Sequence, residues 1–337
     1  MKKVVFKSPE EVAIKDVEVP QRKDNEVLVK IKKVGICGSD YHSYKGSNPF
    51  VNYPFTPGHE GSGEVVEAGP DSGLTEGAKV VIDPVIPCGD CYACNSGRPN
   101  VCENLKVIGA TAEGLMQEYV TVSEKNVYKA SGILKHEQLI FAEPLSIGSQ
   151  AIYRADVKEG ELVTIIGAGP IGIAALLISK WQKSAKQAII EPNKDRRKIA
   201  KSLGADLVLD PEKEDLSKSL KSTFHQPNSP KVIEAVGMEE TIRTALSLAS
   251  PTAKVVVQGI VGNDVTIPTD KLIEKEIDLL GSRLNTEQFP RVVSLLEENH
   301  DDLKDVPMLG FHFSEIEKAF ESHESKPDLL KTFLEFN

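Results

Sequence analysis

The residues of this chain most able to do chemistry are its five cysteines, Cys37, Cys88, Cys91, Cys94 and Cys102. Four of them fall in PCGDCYACNSGRPNVC with the spacing C-x2-C-x2-C-x7-C. A C-x2-C turn sets two thiolates at the separation that one tetrahedral zinc requires, and four thiolates leave that zinc no open position. The spacing therefore predicts a closed, structural zinc site at Cys88, Cys91, Cys94 and Cys102. Two disulfides or four free thiols would be the competing arrangements. C-x2-C bridges are strained, however, and an odd cysteine count in a chain without an export signal argues for metal. Taken alone, such a lobe would also suit a zinc ribbon that binds nucleic acid.

The remaining cysteine, Cys37, lies in VGICGSDYHSYKG. Pro57-Gly58-His59-Glu60-Gly61 follows, and Ala142-Glu143-Pro144-Leu145 comes much later. A catalytic zinc takes about three protein ligands and keeps one exchangeable position. Cys37, His59 and a carboxylate from Glu60 or Glu143 would supply them. Spacing alone does not separate this from the plainer alternative, in which Cys37 packs in a strand and His59 sits on a loop surface.

A second kind of chemistry is written in Gly167-Ala168-Gly169-Pro170-Ile171-Gly172, which follows a strand-like run and opens a helix-like one. The first glycine permits the tight turn, the second lets the backbone approach a pyrophosphate, and the third allows close helix packing. The phosphates would meet the positive end of that helix. Glu191 closes the next strand, in QAIIEP, at about the expected ~20 residues beyond the turn. A carboxylate there accepts both ribose hydroxyls and repels a 2′-phosphate, so NAD is expected over NADP. Arg196 and Arg197 follow closely enough to reach a phosphate, and Arg196 is counted with the cofactor-binding residues.

The elements that must position these groups change texture along the chain. Residues 4–6, 26–34, 63–68 and 78–83 are β-branched runs closed by Gly, Pro or Asp, which predicts an irregular, mostly antiparallel β domain. From about residue 147, strand-like runs (162–166, 187–190, 207–209, 231–234, 254–257) alternate with helix-like ones such as 193–203 and 239–248. That alternation predicts a parallel sheet wrapped by helices. A helix over 288–298 and a mixed tail end the chain. The most apolar run, 162–178, carries Gly167, Gly169, Pro170 and Gly172 in its middle, and reads as strand, turn and helix rather than a membrane span.

The 337 residues are enough for two domains. With a formal charge of −10 and no basic block free of acidic neighbours, nucleic-acid binding is not expected. MKKVVFKSPEEV has no apolar run long enough for a signal peptide, so a cytoplasmic protein is expected.

GICGSDYH, GHEGSGEV, the four-cysteine lobe, AEPL and GAGPIG, in this order and over essentially the whole chain, resemble the medium-chain zinc-dependent alcohol dehydrogenases. The resemblance implies a Rossmann doubly wound parallel sheet (147–282) inserted in a GroES-like, mostly β catalytic domain. That domain would comprise 1–146, with the zinc lobe at about 84–104, and a return over 283–337, the substrate lying in the cleft at zinc. It makes Cys37 and His59 zinc ligands. Glu143 falls where polyol-type members carry a carboxylate at the metal, directly or through water, and Glu60 matches a glutamate beside the metal that can enter its coordination. Ser39 and His42 match a hydroxyl and an imidazole that carry the alcohol proton away, and Asp40 would orient a ligand. The backbones of Glu234-Ala235-Val236-Gly237 and of Gln258, Gly259 and Ile260 would line the nicotinamide end.

Within the family, AEPL and the segment GSRLN (281–285) resemble the sorbitol dehydrogenase and sugar-acid dehydrogenase branch, including members acting on L-galactonate or L-gulonate at carbon 5. That places Arg283 at the substrate. Phe55 stands where those members often have an Arg, and residues 113–116 replace an Asp-Gly-Gly-Phe; both segments are expected to face the substrate. The implied activity is reversible, NAD-linked oxidation of a secondary alcohol of a polyol or sugar acid to the ketone, by a homodimer or homotetramer. A related enzyme such as threonine 3-dehydrogenase, and a non-enzymatic zinc- and nucleotide-binding protein, are the other readings.

Overall fold

The computed structural model describes residues 1–183, 185–260, 264–304, 306–326 and 328–336. The chain divides into two units, Met1–Glu143 with Phe289–Asn337, and Pro144–Gln288. The division falls at 143/144 and 288/289, a few residues from the expected 146/147 and 282/283. The first junction lies inside one continuous helix, Ala142–Arg154, which has no turn residue to announce it. At the second, residues 283–288 stay with Pro144–Gln288 because the Thr286 N–H donates to Gln150 (3.1 Å) and the Ser149 hydroxyl to Gln288 (2.7 Å).

In the first unit the strand Glu26–Ile36 is central. Its Val27, Val29, Ile31, Val34 and Ile36 are all fully buried, because both its faces are covered over much of its length. The sheet runs Met308–His312, Lys331–Glu335, Glu26–Ile36, Glu60–Glu67, Lys79–Ile82, Val127–Lys129, with Tyr119–Ser123 also paired to Glu26–Ile36. The pairings are antiparallel except that of Met308–His312 with Lys331–Glu335, whose connection carries the helix Ile316–Ser325. The C-terminal tail therefore supplies two strands of the sheet. One register pair, Gly35 opposite Glu60, brings the strand that ends just before Cys37 against the strand that starts after His59.

The second unit is a six-stranded parallel sheet in the order Leu207–Leu209, Lys186–Ile190, Leu162–Ile166, Ser229–Glu234, Ala249–Val257, Asp278–Gly281. Numbered by appearance, this is the 3-2-1-4-5-6 order of a doubly wound dinucleotide-binding sheet. Leu162–Ile166 is buried at every position, as a strand covered on both faces must be. The strand order reverses between Leu162–Ile166 and Ser229–Glu234, and the crevice for a ligand opens at the carboxyl ends of those two strands. Among the described residues no helix is long and apolar enough to cross a membrane.

Candidate active site

Cys37, His59 and Glu60 each offer a ligand atom within 4.8 Å of the others. Cys37 caps the short helix Gly38–Tyr44, and its N–H donates to Asp40 Oδ2 at 3.0 Å. The other Asp40 oxygen accepts the Gly58 N–H at 3.2 Å and lies 3.7 Å from His59 Nδ1. One buried carboxylate therefore holds the Cys37 turn and the His59 loop together. Gly58 adopts φ +93°, and a Cβ there would stand 2.7 Å from Met116 Cγ, so the sharp turn before His59 requires glycine.

Glu60 is fully buried and points at a partner that its own sequence neighbourhood does not announce. Lys331 Nζ donates to both Glu60 oxygens, at 2.7 and 2.6 Å, and lies 3.5 Å from the Ile36 carbonyl. A Cβ at position 35 would collide with Glu60 Oε2, so Gly35 makes the room for this carboxylate. Burial works to lower the Lys331 ammonium, but Glu60, Cys37 and Glu143 together hold it above its ordinary range. A lone lysine between the apolar residues of LLKTFLEF was the only signal available in the sequence.

Glu143 lies in the first turn of Ala142–Arg154, buried, where the helix dipole favours an anion. Burial, with Glu60 and Asp83 adding to it and His59 and Lys331 opposing, pushes its carboxyl up to about 7. Burial also raises Asp40. For His59, burial alone would lower the imidazole, but Asp40, Cys37 and Glu143 hold it well above its ordinary value. Four acidic or thiol groups thus crowd around one imidazole and one ammonium, and a divalent cation is the species that such a donor set accommodates. Glu143 is not among the three residues whose ligand atoms converge within 4.8 Å.

Ser39 and His42 stand one helical turn apart, both exposed. His42 Nδ1 meets the Ser47 hydroxyl at 3.1 Å, while the Ser39 carbonyl accepts from the Ser43 hydroxyl at 2.8 Å.

Cys88, Cys91, Cys94 and Cys102 likewise place their sulfurs within 4.8 Å of one another, and all are free thiols. Cys102 Sγ lies 3.3 Å from Cys88 and 3.8 Å from Cys91, and it accepts the N–H groups of Cys88 (3.2 Å) and Asn104 (3.3 Å). Backbone N–H groups from Cys94 and Glu103 lower Cys91 to about 6, while the hydrogen bond to the Asp90 side chain leads in pushing Cys88 up to about 12. Four sulfurs this close, with N–H donors aimed at them, fit a tetrahedral zinc.

In the second unit the glycine turn has the geometry its sequence implies. Gly167 adopts φ +98°, and a Cβ at Gly172 would collide with the Gly167 carbonyl oxygen. A Cβ at Gly169 would meet no protein atom within 4 Å, which leaves that backbone open to a ligand. Pro170 opens the helix Pro170–Lys183, whose Ile171 and Gly172 belong to its first turn. Glu191 is buried, and its oxygens accept the N–H groups of Ala168 (2.8 Å) and Asn193 (2.9 Å), which ties it to the glycine turn. Arg197 is committed elsewhere: it pairs with Asp210 at 3.0 Å and donates to the carbonyls of Glu191 and Pro192, both at 2.6 Å. Arg196 is half-buried, its N–H held by the Asn193 cap at 3.1 Å. Gln258 donates to the Ile147 carbonyl at 2.8 Å, Gly259 packs on the backbone of Gly237, and Ile260 is 74% exposed.

The expectation that residues 113–116 face the substrate needs correction at Leu115 and Met116. Leu115 and Met116 are fully buried in the core of the first unit, and their N–H groups bond the carbonyls of Gly58 (2.9 Å) and Pro57 (3.0 Å). The segment 113–116 braces the His59 loop from below, with Glu113 paired to Lys3. Phe55 packs edge-on against Phe6 and Tyr53, with ring centroids 5.6 Å apart in both cases. Arg283 is exposed, in a segment where Leu284 (φ +48°) and Glu287 (φ +51°) adopt left-handed backbone.

A thiolate–imidazole–carboxylate site in one unit and a glycine-turn crevice in the other are the parts of a metal-dependent dehydrogenase. Residues 23–132 match the alcohol dehydrogenase GroES-like domain and residues 170–298 the zinc-binding dehydrogenase family. The chain is 34% identical over 330 residues to an uncharacterized zinc-type alcohol dehydrogenase-like protein of Haemophilus influenzae, covering 97% of this chain and 96% of that one. It is 36% identical over 301 residues to L-galactonate-5-dehydrogenase of Escherichia coli K12, covering 88% of each. The crystal structure of the RspB alcohol dehydrogenase of Escherichia coli CFT073, complexed with NADH, matches with a TM-score of 0.90 at 30% identity, over 100% of this chain and 99% of that one. This chain belongs to the medium-chain zinc-dependent alcohol dehydrogenases, in their sorbitol dehydrogenase-like branch, and is an oxidoreductase using zinc and a nicotinamide dinucleotide.

Proposed function

We propose that this enzyme catalyses the reversible, NAD-linked oxidation of a secondary alcohol in a polyol or sugar acid to the ketone, with L-galactonate or L-gulonate, oxidised at carbon 5, as the leading substrates. The observation that carries the reading is the convergence of Cys37, His59 and Glu60 beside a second buried carboxylate, Glu143. Bound there, zinc supplies Lewis acidity toward the alcohol oxygen.

The chain's own residues do the rest. Cys37 and His59 hold the metal, and Glu60 or Glu143 provides the third donor. Asp40, bonded to both the Cys37 turn and the His59 loop, keeps the two ligands aimed. Ser39 and His42 take the hydroxyl proton out toward solvent. Glu191 accepts the ribose hydroxyls and disfavours NADP, with Gly167 to Gly172 at the pyrophosphate and the 235–237 and 258–260 backbones at the nicotinamide. Arg283 binds the substrate, and its planar guanidinium would hold an aldonate carboxylate in two parallel bonds. The relative named for L-galactonate supports the sugar-acid end of this range. The family resemblance carries with it a cytoplasmic homodimer or homotetramer.

A panel of polyols, aldonates and L-threonine, followed by NADH absorbance, tests the reading. Turnover of aldonates or polyols above all others is expected. Preference for L-threonine would move the enzyme to the threonine dehydrogenases, and no turnover of any alcohol would leave only binding. On the same panel, Arg283→Lys should lose activity on aldonates alone; an equal loss on both classes, with a lower melting temperature, would make Arg283 a structural tie.

A further inference from the structure

Glu234 ends the strand Ser229–Glu234 and is 0% exposed. Its Oε1 accepts the N–H groups of Val236 and Gly237, both at 2.9 Å, and its Oε2 accepts that of Gly237 at 3.0 Å. Every one of these contacts uses the side chain as an acceptor, the role that a carboxylate fills. Among the described residues no Lys, Arg or His forms an ion pair with it. A buried carboxylate without a cation is expensive to keep, and the position has no surface alternative.

Its place in the sheet gives it a use. Glu234 is the register partner of Ile166, the residue before Gly167, so it sits where the strand order reverses and the dinucleotide crevice opens. Gly167 packs against Val236 (a Cβ there would lie 2.8 Å from Val236 Cγ2), and Gly259 packs against Gly237. Glu191, which would take the adenine-side ribose, directly follows the strand Lys186–Ile190 on one side of this pivot, and Glu234 ends the first strand on the other. The turn that Glu234 organises therefore belongs to the nicotinamide end.

We infer that Glu234 sets the relative affinity of the site for the two redox forms of the cofactor. The inference rests on the cofactor placement proposed above. The oxidised nicotinamide ring carries one positive charge and the reduced ring none, since the hydride brings two electrons with its proton. A fixed, desolvated negative charge beneath that end of the site attracts the oxidised ring and leaves the reduced ring untouched. For a charge at the edge of a partly dry crevice the preference is on the order of tenfold in binding. A purely structural role for Glu234, bracing the Ala235–Gly237 turn, would affect both forms alike.

The test is the dissociation constant of NADH, by its fluorescence, and of NAD⁺, by competition, on the zinc-loaded enzyme. Glu234→Gln removes the charge and keeps the shape; Glu234→Ser, with room for a water, is the second uncharged variant should glutamine not pack. Either should weaken NAD⁺ about tenfold with NADH within about twofold. Glu234→Asp retains the charge and should weaken both forms by a common factor. Equal changes for NAD⁺ and NADH in the uncharged variants, or an unchanged ratio, would overturn the inference alone. An unmodified enzyme that binds neither form would instead overturn the cofactor placement.

Discussion

Lys331 Nζ donates to both carboxylate oxygens of Glu60, at 2.7 and 2.6 Å, with each side chain 1% exposed. The pair joins the C-terminal strand to the strand that follows His59, and it fixes how the Glu60 carboxylate is presented beside Cys37. Removing one partner of such a pair strands the other charge in the core. Lys331→Met should therefore cost about 3–5 kcal/mol of stability. Lys331→Arg, which keeps the charge, should lose clearly less. Urea unfolding of the two variants checks this, and a loss below about 1 kcal/mol in Lys331→Met would show that Glu60 finds other compensation.

The two thiol sites should separate by what their loss removes. Cys102→Ser opens a closed four-thiolate site, so one zinc per chain and part of the folding free energy go with it. Cys37→Ser should remove turnover and leave the melting temperature close to that of the unmodified protein. Metal analysis paired with thermal unfolding reads both. Fewer than two zincs per chain in unstripped protein would contradict the pair of assignments.

Glu191 accepts two backbone N–H groups, and its proposed role adds the ribose hydroxyls. Glu191→Ala should weaken NAD by roughly 1.5–3 kcal/mol, the worth of hydrogen bonds to a charged group, while lifting the repulsion against NADP. The ratio of kcat/KM for the two cofactors measures it. Equal efficiency with NAD and NADP in the unmodified enzyme would remove the basis for this role.

For the proton exit, Ser39→Ala should depress alcohol oxidation ~10²–10⁴-fold with zinc retained. His42→Gln should move the pH profile more than the maximal rate, because an exposed imidazole bonded to Ser47 can be bypassed by water. An unchanged rate in Ser39→Ala would confine that hydroxyl to the helix turn.

A pH dependence of stability follows from His136, which lies against the strand Glu60–Glu67. Its Nδ1 meets the Ser62 hydroxyl at 3.2 Å and its Nε2 lies 3.7 Å from Glu64. Burial, then Lys79 and Lys32, outweigh Glu64 and hold the imidazole below its ordinary value. The folded state therefore favours the neutral ring. That stability is fully present above the unfolded value near 6.5 and is lost as pH falls through the folded one, with a slope of at most about 1.4 kcal/mol per pH unit. Denaturant midpoints from pH 7.5 down to 5 should fall less steeply in His136→Gln than in the unmodified protein, and parallel curves would sink the assignment.

What the sequence determined by itself is what depends on a few consecutive residues. The cysteine lobe and the glycine turn were legible because C-x2-C spacing and G-x-G-x-x-G place donors and close approaches through local backbone geometry; the positive φ of Gly167 and the contact of Gly172 with its carbonyl follow directly. The parallel sheet was legible from its alternation of apolar strands with helices. The tail was not, since MLGFH and KTFLE have little alternation of their own; KTFLE becomes a strand beside Glu26–Ile36, and MLGFH beside KTFLE. Only the tertiary structure decided that residues 271 positions apart, Glu60 and Lys331, form a buried pair. It also decided that Asp40 reaches Gly58, that Leu115 and Met116 turn inward, and that Glu234 is sealed at the pivot of the sheet. A lysine or glutamate has the same local preferences whether it meets water or a partner from a distant strand. Its burial is set by the packing of those strands, which no short window of sequence contains.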